Sequence, residues 1–292
     1  MKKQIKADLF LVAITAIWGL SFPLMRNILS YISYIQYLAV RFLIAGVILS
    51  IIFCKKLQHI SIEEIKSSFI IGSALAGSLG FTVYALYFTK ASNVAIITGL
   101  NIVTVPIISS LILNKKPNLN SLLSIIIALI GLFIISGGLD LSFNIGDLFA
   151  LICALCITSQ IIFIDKFTEK YDPIILGVLQ INISAMIFCV LWIINGVKPI
   201  ILNTTVITTL IITGVFGTAL AFTGQTLVQK YTSPTHASII FIGEPVFGAM
   251  FSLIIPDVNG ITEKLTLSTI VGGTLIIAAI IISEVKFKVL KK

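Results

Sequence analysis

The sequence predicts an all-α integral membrane protein with ten transmembrane helices, arranged as two inverted five-helix repeats. Three observations lead to this prediction: the chain is poor in charge, its apolar residues are gathered in long runs, and its lysines lie in alternate connections. Of the 292 residues, 58% are hydrophobic and 11% are charged, with a mean hydropathy of +1.11. A soluble domain usually carries about 25% charged residues. The composition therefore excludes an ordinary soluble enzyme, a disordered chain and a nucleic-acid-binding protein.

Ten apolar runs approach the length that crosses a bilayer, which is roughly 20 residues for about 30 Å of hydrocarbon. The first run follows Lys2, Lys3 and Lys6. It is too long for the apolar core of a signal peptide and no small-residue cleavage pattern follows it, so we expect a retained helix. The predicted spans 1 to 10 cover residues 7–25, 34–53, 68–88, 93–113, 119–137, 147–164, 174–194, 205–227, 236–255 and 266–283.

Basic residues predict the orientation. With the N-terminus inside, the inner segments carry fifteen lysines and the outer segments four basic residues, which places both termini in the cytoplasm of a multi-pass protein of the cytoplasmic (inner) cell membrane. An odd error in the number of spans would destroy this asymmetry. The net charge of +8 then reflects topology and attraction to anionic lipid rather than nucleic acid. The inner residues are Lys2, Lys3, Lys6, Lys55, Lys56, Lys66, Lys115, Lys116, Lys166, Lys170, Lys230, Lys286, Lys288, Lys291 and Lys292; the outer ones are Arg26, Lys90, Lys198 and Lys264.

The two halves of the chain share sequence matches. Asp8-Leu9-Phe10 recurs as Asp147-Leu148-Phe149 at an offset of 139 residues, and Pro106 meets Pro245 at the same offset. These matches predict a duplication with one repeat in residues 1–140 (spans 1–5) and a second in 141–292 (spans 6–10). Because five is odd, the second repeat crosses the membrane in the opposite sense. Inverted repeats are typical of secondary transporters, whose substrate site lies near the midplane between the halves.

Glu244 is the strongest candidate for a functional side chain, because it lies near the centre of span 9. A charge at that depth costs roughly 2.5–3.5 kcal/mol on insertion scales. Pro245 interrupts the local backbone hydrogen bonds within the apolar layer. We expect Glu244 to bind substrate or to couple transport to protons; the alternative is a neutral side chain that only hydrogen-bonds another helix.

Arg41 is the second charged residue well inside a span. It lies about 10 Å from the outer edge of span 2 by helical rise, so it is either an interfacial anchor or part of the site. Small polar and aromatic residues of other spans are further candidates for substrate contacts, although such residues also hold transmembrane helices together. These candidates are Asn101, Thr98, Trp18, Ser21, Tyr84 and Gln160.

No cofactor or metal site is expected. Cys153 and Cys156 match a C-x-x-C spacing, but they lie in an apolar run without a second cysteine pair, which is typical of buried small hydrophobes. His236 lies beside Pro234 at the inner edge of span 9, where we expect a helix-terminal residue in contact with water. The nucleotide-binding motif G-x-x-x-x-G-K-[ST] is absent, so nothing suggests ATP-driven pumping.

Three motifs carry a resemblance to a known family. Trp18-Gly19-Leu20-Ser21-Phe22 resembles the W-G-x-x-F signature of EamA-type transporters of the drug/metabolite transporter superfamily, and Leu38–Phe42 is similar to its L-x-x-R-F stretch. Glu244-Pro245-Val246 looks like the E-P-V that ends the signature of its second repeat. The chain departs from the family after spans 4 and 9, where an acidic residue is often found and Asn114-Lys115-Lys116 and Pro256-Asp257 stand instead.

The resemblance implies a ten-helix carrier that moves small metabolites, often amino acids or related solutes and frequently outward. It also implies a central cavity lined by spans 1, 3, 4, 6, 8 and 9. The sequence therefore predicts a secondary transporter that works by alternating access on a small-molecule substrate, and not an enzyme. Two alternatives stay open: a membrane-embedded enzyme acting on lipid, which would need a cluster of acids or metal ligands that the sequence does not show, and a channel.

Overall fold

The computed structural model describes residues 2–138, 144–197 and 199–284. Within these ranges the chain is built from α-helices and one π-helical segment, and strands are absent. The helices are α1 (Lys2–Ile28), α2 (Tyr34–Ile52), α3 (Cys54–Leu57), α4 (Ile62–Phe88), α5 (Ala91–Gly99), α6 (Asn101–Ile112), α7 (Leu119–Ile135), α8 (Ile145–Thr168), α9 (Pro173–Ile194), α10 (Thr204–Ile211), the π segment (Ile212–Leu220), α11 (Ala221–Gln229), α12 (Pro234–Phe241), α13 (Glu244–Ser252) and α14 (Leu267–Glu284).

Eight of the helical stretches among the described residues are long and apolar enough to cross a membrane. They coincide with predicted spans 1–4, 6–8 and 10, and they establish a multi-pass membrane protein. Predicted span 5 is the 17-residue helix α7, which is apolar but shorter. Predicted span 9 is divided into α12 and α13, of 8 and 9 residues. The count of ten spans therefore stays a prediction.

Helix starts follow side-chain caps that the apolar pattern did not reveal. Predicted span 3 begins at residue 68, but α4 begins at Ile62 because Ser61 caps it and Glu64 returns a hydrogen bond to the Ser61 backbone. The same reciprocal arrangement starts α2, through Ser33 and Gln36. Polar first turns of this kind satisfy backbone N–H groups outside the apolar layer, so a helix extends beyond its apolar run.

Three interruptions lie within spans. Leu100 separates α5 from α6, and Ile242 with Gly243 separates α12 from α13, directly before Glu244 and Pro245. The third is the π segment between α10 and α11, in which the Thr218 hydroxyl donates to the Thr213 carbonyl at 3.0 Å. Interrupted helices are tolerated at membrane depth where protein or a cavity satisfies the backbone.

The helices pack as pairs that draw on both halves of the chain. The main partners are α4 with α8, α7 with α14, and α2 with α9, while α1 packs on α11, α12 and α13. Close approach depends on small residues: a Cβ added to Gly131 of α7 would lie 2.7 Å from the Gly272 carbonyl oxygen of α14. A side chain on either glycine would therefore force these two helices apart.

Short connections make the helix ends alternate between the two ends of the bundle. We call the end at which α1 begins the near end and the opposite one the far end. Glu284, the last residue of α14, lies at the near end, since it contacts His236, which also approaches Asp8 of α1. At the far end Arg26 of α1 pairs with Glu263 at 2.7 Å. The start of α1 and the end of α14 thus lie on the same side.

Candidate functional site

Glu244 stands at the break in the ninth predicted span, as the first residue of α13. Its side chain is only partly buried and keeps accessible surface within the predicted span. No described residue donates a hydrogen bond to its carboxylate. Its nearby charge is the guanidinium of Arg41. The helix N-terminus itself favours an anionic side chain at this position.

Arg41 is buried, at 6% exposure, and neutral groups hold its guanidinium. Nε donates to the Thr218 hydroxyl at 2.5 Å, Nη2 to the Gly217 carbonyl at 3.0 Å, and Nη1 to the Tyr37 hydroxyl at 3.1 Å. These bonds use three of the five N–H groups of a guanidinium. Within the described part of the chain no carboxylate forms an ion pair with Arg41. Of the two alternatives for this residue, its burial favours a part of the site over an interfacial anchor, and its role there stays a prediction.

Gly217 links the site to the π segment. Its carbonyl accepts from Arg41 and also from the indole Nε1 of Trp18 at 3.1 Å. A Cβ at this position would lie 3.0 Å from the Ser21 hydroxyl and 3.1 Å from Arg41 Nη2, so both side chains would have to shift by a few tenths of an ångström to make room for it. The π-helical geometry frees carbonyls that a regular helix would use internally, and such segments are frequent at functional sites.

Trp18 forms an aromatic wall beside these groups. Its ring lies 5.0 Å from Phe222 of α11 and 5.2 Å from Phe241, the last residue of α12 before the break. Ser21 lies one turn further along α1 and donates to the Ile17 carbonyl at 3.1 Å. The structure therefore brings together four of the sequence-predicted residues: Glu244, Arg41, Trp18 and Ser21.

Tyr34 and Tyr37 belong to the same region and were not predicted. Tyr37 is fully buried and hydrogen-bonds Arg41, while the half-buried Tyr34 is an electrostatic neighbour of both Arg41 and Glu244. The two rings lie 6.1 Å apart. Their positions, seven and four residues before Arg41 on one helix face, were a signal that could have identified them.

Asn101 and Thr98 lie on either side of the break between α5 and α6. Asn101 Nδ2 donates to the Thr98 carbonyl at 2.9 Å, and the Thr98 hydroxyl donates to the Val94 carbonyl at 2.7 Å. Both side chains are half-buried, and among the described residues no hydrogen bond joins either of them to Glu244 or Arg41. Their role as substrate contacts stays a prediction.

Tyr84 and Gln160 lie in other surroundings. Tyr84 is 39% exposed and its ring packs 6.0 Å from Phe149, towards the far end of α4 and α8. Gln160 is buried and its amide exchanges hydrogen bonds of 3.3 and 3.4 Å with Gln225 of α11. Gln225 in turn donates to Gln229 at 3.0 Å. This glutamine chain connects α8 to α11, and a contact of Tyr84 or Gln160 with substrate stays a prediction.

The expectation for His236 is wrong. It is buried at 6% exposure because α1 and α14 cover it: its Nδ1 lies 3.7 Å from an Asp8 oxygen and its Nε2 lies 3.1 Å from a Glu284 oxygen. The sequence shows no cluster of acids or metal ligands because these three residues are separated by 228 and 48 positions along the chain. The four cysteines are free; Cys153 is buried, as expected, whereas Cys156 is only partly buried.

Similarity to known proteins agrees with this architecture. The model of the EamA-like transporter family matches residues 5–137 and 144–284. An uncharacterized transporter of Archaeoglobus fulgidus is 31% identical over 286 residues, which cover 97% of this chain and 87% of that protein. The uncharacterized transporter YoaV of Bacillus subtilis is 24% identical, over 97% of this chain and 98% of its own.

A protein of known crystal structure has the same fold. Its TM-score is 0.79 at 13% sequence identity, covering 96% of this chain and 97% of the other. A structural match at an identity this low shows that the fold is shared and carries no statement about function. The family match, in contrast, extends over nearly the whole chain in two segments. This membrane protein belongs to the EamA-like transporter family.

Proposed function

We propose that this transporter is a secondary carrier for a small zwitterionic metabolite, an amino acid or a related solute, bound between Glu244 and Arg41. The observation that carries the proposal is the presence of an arginine and a glutamate within the membrane-spanning region, near one another and without an ion pair between them among the described contacts. Charges at this depth are costly, and functional sites are the usual reason for keeping them.

The chemistry of the two side chains suits the two ends of such a solute. Arg41 retains two N–H groups beyond those used by Gly217, Tyr37 and Thr218, and a guanidinium binds a carboxylate through two parallel hydrogen bonds. The Glu244 carboxylate would accept from the solute's ammonium group. Trp18 supplies an apolar wall for the remainder, and the low dielectric of the site strengthens both charge interactions.

In this proposal the chain crosses the membrane ten times, in two inverted repeats of residues 1–140 and 141–292. The transport mechanism depends on the movement of these repeats relative to one another. The family model matches the chain twice, in segments close to these halves. Helix packing follows the same relation: α1 packs on α11, α12 and α13, and α8, its counterpart, packs on α4, α5 and α6. The meeting of Asp8 and Glu284 at one end supports an even number of spans. Rocking of the halves around the site would give alternating access.

Orientation and direction are part of the proposal. The excess of lysines in the segments at the near end supports cytoplasmic termini in the cytoplasmic membrane. Outward transport rests on the family resemblance alone. Membership of a transporter family also favours a carrier over the lipid-directed enzyme or the channel.

Counterflow in proteoliposomes tests the function. Vesicles loaded with one unlabelled amino acid at a time are diluted into the same labelled amino acid, and the panel covers neutral, acidic and basic side chains. We expect transient, saturable accumulation for at least one member, which a channel does not produce. Comparing inside-out with right-side-out membrane vesicles then gives the direction. If every member equilibrates without saturation, or if none enters, the proposed carrier function is contradicted.

A further inference from the structure

Three helices meet at the near end through ionisable side chains. Asp8 of α1, His236 of α12 and Glu284 of α14 each offer one ligand atom, and these atoms all lie within 4.8 Å of one another. His236 occupies the centre, 3.7 Å from Asp8 and 3.1 Å from Glu284. Two buried residues and one exposed residue make up the group, so solvent reaches it from the side of Glu284.

Asp8 is the residue that points to a bound cation. It is 3% exposed, and neither of its carboxylate oxygens has a hydrogen-bond partner. The Thr232 hydroxyl is a neighbour of this carboxylate, but its hydrogen bond is with His236 Nδ1, at 3.2 Å. Buried carboxylates are normally paired, hydrogen-bonded or bound to a metal, because an unsatisfied one carries a large desolvation cost.

The far end contains a comparable aspartate that is fully satisfied. Asp147 lies in the first turn of α8, as Asp8 lies near the start of α1, and both are 3% exposed. It accepts hydrogen bonds from the Thr89 hydroxyl at 2.8 Å, from Asn93 Nδ2 at 3.2 Å and from the Asn144 backbone N–H at 2.9 Å. Asn93 corresponds to His236 and Thr89 to Thr232, both at an offset of 143. The near end therefore replaces an amide donor by an imidazole and adds the carboxylate of Glu284.

We propose that Asp8, His236 and Glu284 form a site for a divalent transition-metal cation of the Zn²⁺ type. One imidazole nitrogen and two carboxylate oxygens are a ligand set that this class of ion accepts, at distances of about 2.0–2.2 Å. Binding draws in Glu284, whose side chain is 35% exposed at the end of α14. Whichever ring nitrogen binds, the other keeps a hydroxyl partner, Thr232 on one side and Ser283 on the other. The metal would tie the near ends of α1, α12 and α14 together.

This site does not depend on the zwitterion proposed at Glu244 and Arg41, and its test does not measure transport. Purified full-length protein in detergent, freed of metal by a chelator that is then removed, is titrated with Zn²⁺. We expect one equivalent to bind by calorimetry and to raise the midpoint of thermal unfolding. Asp8→Asn and His236→Gln should each weaken binding by about 100-fold or more, because each removes a ligand. The control is His59→Gln, which changes the exposed second histidine and should bind as the wild type does.

Co²⁺ provides a measurement that does not require a variant to fold. Bound to the wild type, it should give the visible absorption of a mixed nitrogen and oxygen environment, which one equivalent of Zn²⁺ abolishes. The proposal is overturned if the wild type binds no Zn²⁺, or if Asp8→Asn binds it as tightly as the wild type. It is also overturned if stability depends on pH alone, since a protonated His236 between the two carboxylates then explains the cluster.

Discussion

Charged side chains at the ends of the bundle and charged side chains in its interior differ in the partners that they contact. At the ends, cations pair directly with carboxylates, as in Arg26 with Glu263, Lys56 with Asp172, and Lys115 with Asp165 at 2.6 Å, and Asp8 is the exception already described. In the interior, Arg41 is held by a carbonyl and two hydroxyls, while Glu244 receives no hydrogen bond from the described residues. In the interior, neutral groups thus hold the cation in place, and neither charged residue has an ion-pair partner among the described residues.

This difference distinguishes charged residues that bear on the stability of the fold from charged residues that bear on transport. The partly exposed pairs Arg26–Glu263 and Lys56–Asp172 contribute about 0–1 kcal/mol each and therefore add little to the stability of the fold, whereas the third pair includes the buried Asp165. Partial burial disfavours the ammonium of Lys115, but hydrogen bonds with Asp165 and Glu169 outweigh it and raise the pKa of Lys115. In the interior, a solute that brings its own opposite charges would complete the pairing that the protein lacks. Substitutions in the two regions should therefore differ in kind as well as in size.

Glu244→Gln is expected to have the largest effect. It removes the interior carboxylate and keeps the size of the side chain, so the solute's ammonium loses a charged partner, which is worth roughly 10- to 100-fold in transport. Initial rates of counterflow at saturating and sub-saturating solute measure this. The matched control is Glu263→Gln, which removes an exposed carboxylate paired with Arg26 at the far end and should change transport by less than about threefold. An equal loss in both variants would mean that the position of the Glu244 carboxylate in the interior does not matter.

Arg41→Lys keeps the interior cation but removes the planar fork. A lysine cannot reach Thr218, Gly217 and Tyr37 together, so we expect a loss of about 1–3 kcal/mol in the free energy of unfolding together with weaker solute binding. Unfolding in detergent followed by tryptophan fluorescence measures the first. Arg26→Lys makes the same exchange at the far end, in a half-exposed pair with Glu263, and should cost less than about 1 kcal/mol. A larger effect at Arg26 than at Arg41 would reverse the comparison.

Gly217→Ala tests the close approach behind the interior site. The added methyl group would lie 3.0 Å from Ser21 and 3.1 Å from Arg41, so overpacking should cost about 1–3 kcal/mol and displace the guanidinium. Thermal unfolding and the Michaelis constant for counterflow are the measurements. Gly80→Ala is the control, because nothing lies within 4 Å of its added methyl group, and it should be neutral or slightly stabilising.

Lys56→Met should have the smallest effect, at most about 1 kcal/mol, because the pair with Asp172 is partly exposed. Burial opposes the charged form of Asp172, but hydrogen bonds from Lys56 and from the Ile174 backbone outweigh it and lower the pKa of Asp172. A carboxylate with a lowered pKa stabilises the fold above its unfolded value, near pH 4, and loses that contribution as the pH falls. Wild type and variant should thus differ at pH 7 and converge below about pH 4. Lys66→Met, in a more exposed pair with Glu63, should show a smaller difference at both pH values.

The two interior charges and the break before Glu244 could be predicted from the sequence. The cost of placing a charge in a membrane depends on the residue and on the apolar run around it, and both can be read from the chain. Glu244 and Arg41 stand out in apolar runs, and Pro245 marks the interruption that the structure places directly before Glu244. The break between α5 and α6 was less accessible: it lies at Leu100, while Pro106 continues within α6. A proline at that distance does not by itself end a helix, so no local feature of the chain singles out Leu100.

Hydrogen bonds between residues that are far apart in the sequence could not be predicted. The Trp18 indole finds the Gly217 carbonyl 199 residues later, and Gln160 is matched to Gln225, because helix packing decides which polar groups face each other. The π segment could not be predicted either, because its pattern of apolar residues is the same as that of an ordinary α-helical span. The prediction that His236 contacts water was wrong for the same reason, because its exposure depends on whether α1 and α14 pack over it.

The most direct test of the interior site compares a transported amino acid with two analogues in counterflow, one with the ammonium blocked by acetylation and one with the carboxylate blocked as a methyl ester. If Glu244 and Arg41 each hold one charge, both analogues should compete at least about tenfold more weakly than the parent in the wild type. In Glu244→Gln the acetylated analogue should compete as well as the parent does, while the ester stays excluded. Equal competition by all three compounds in the wild type would contradict binding of a zwitterion between these residues.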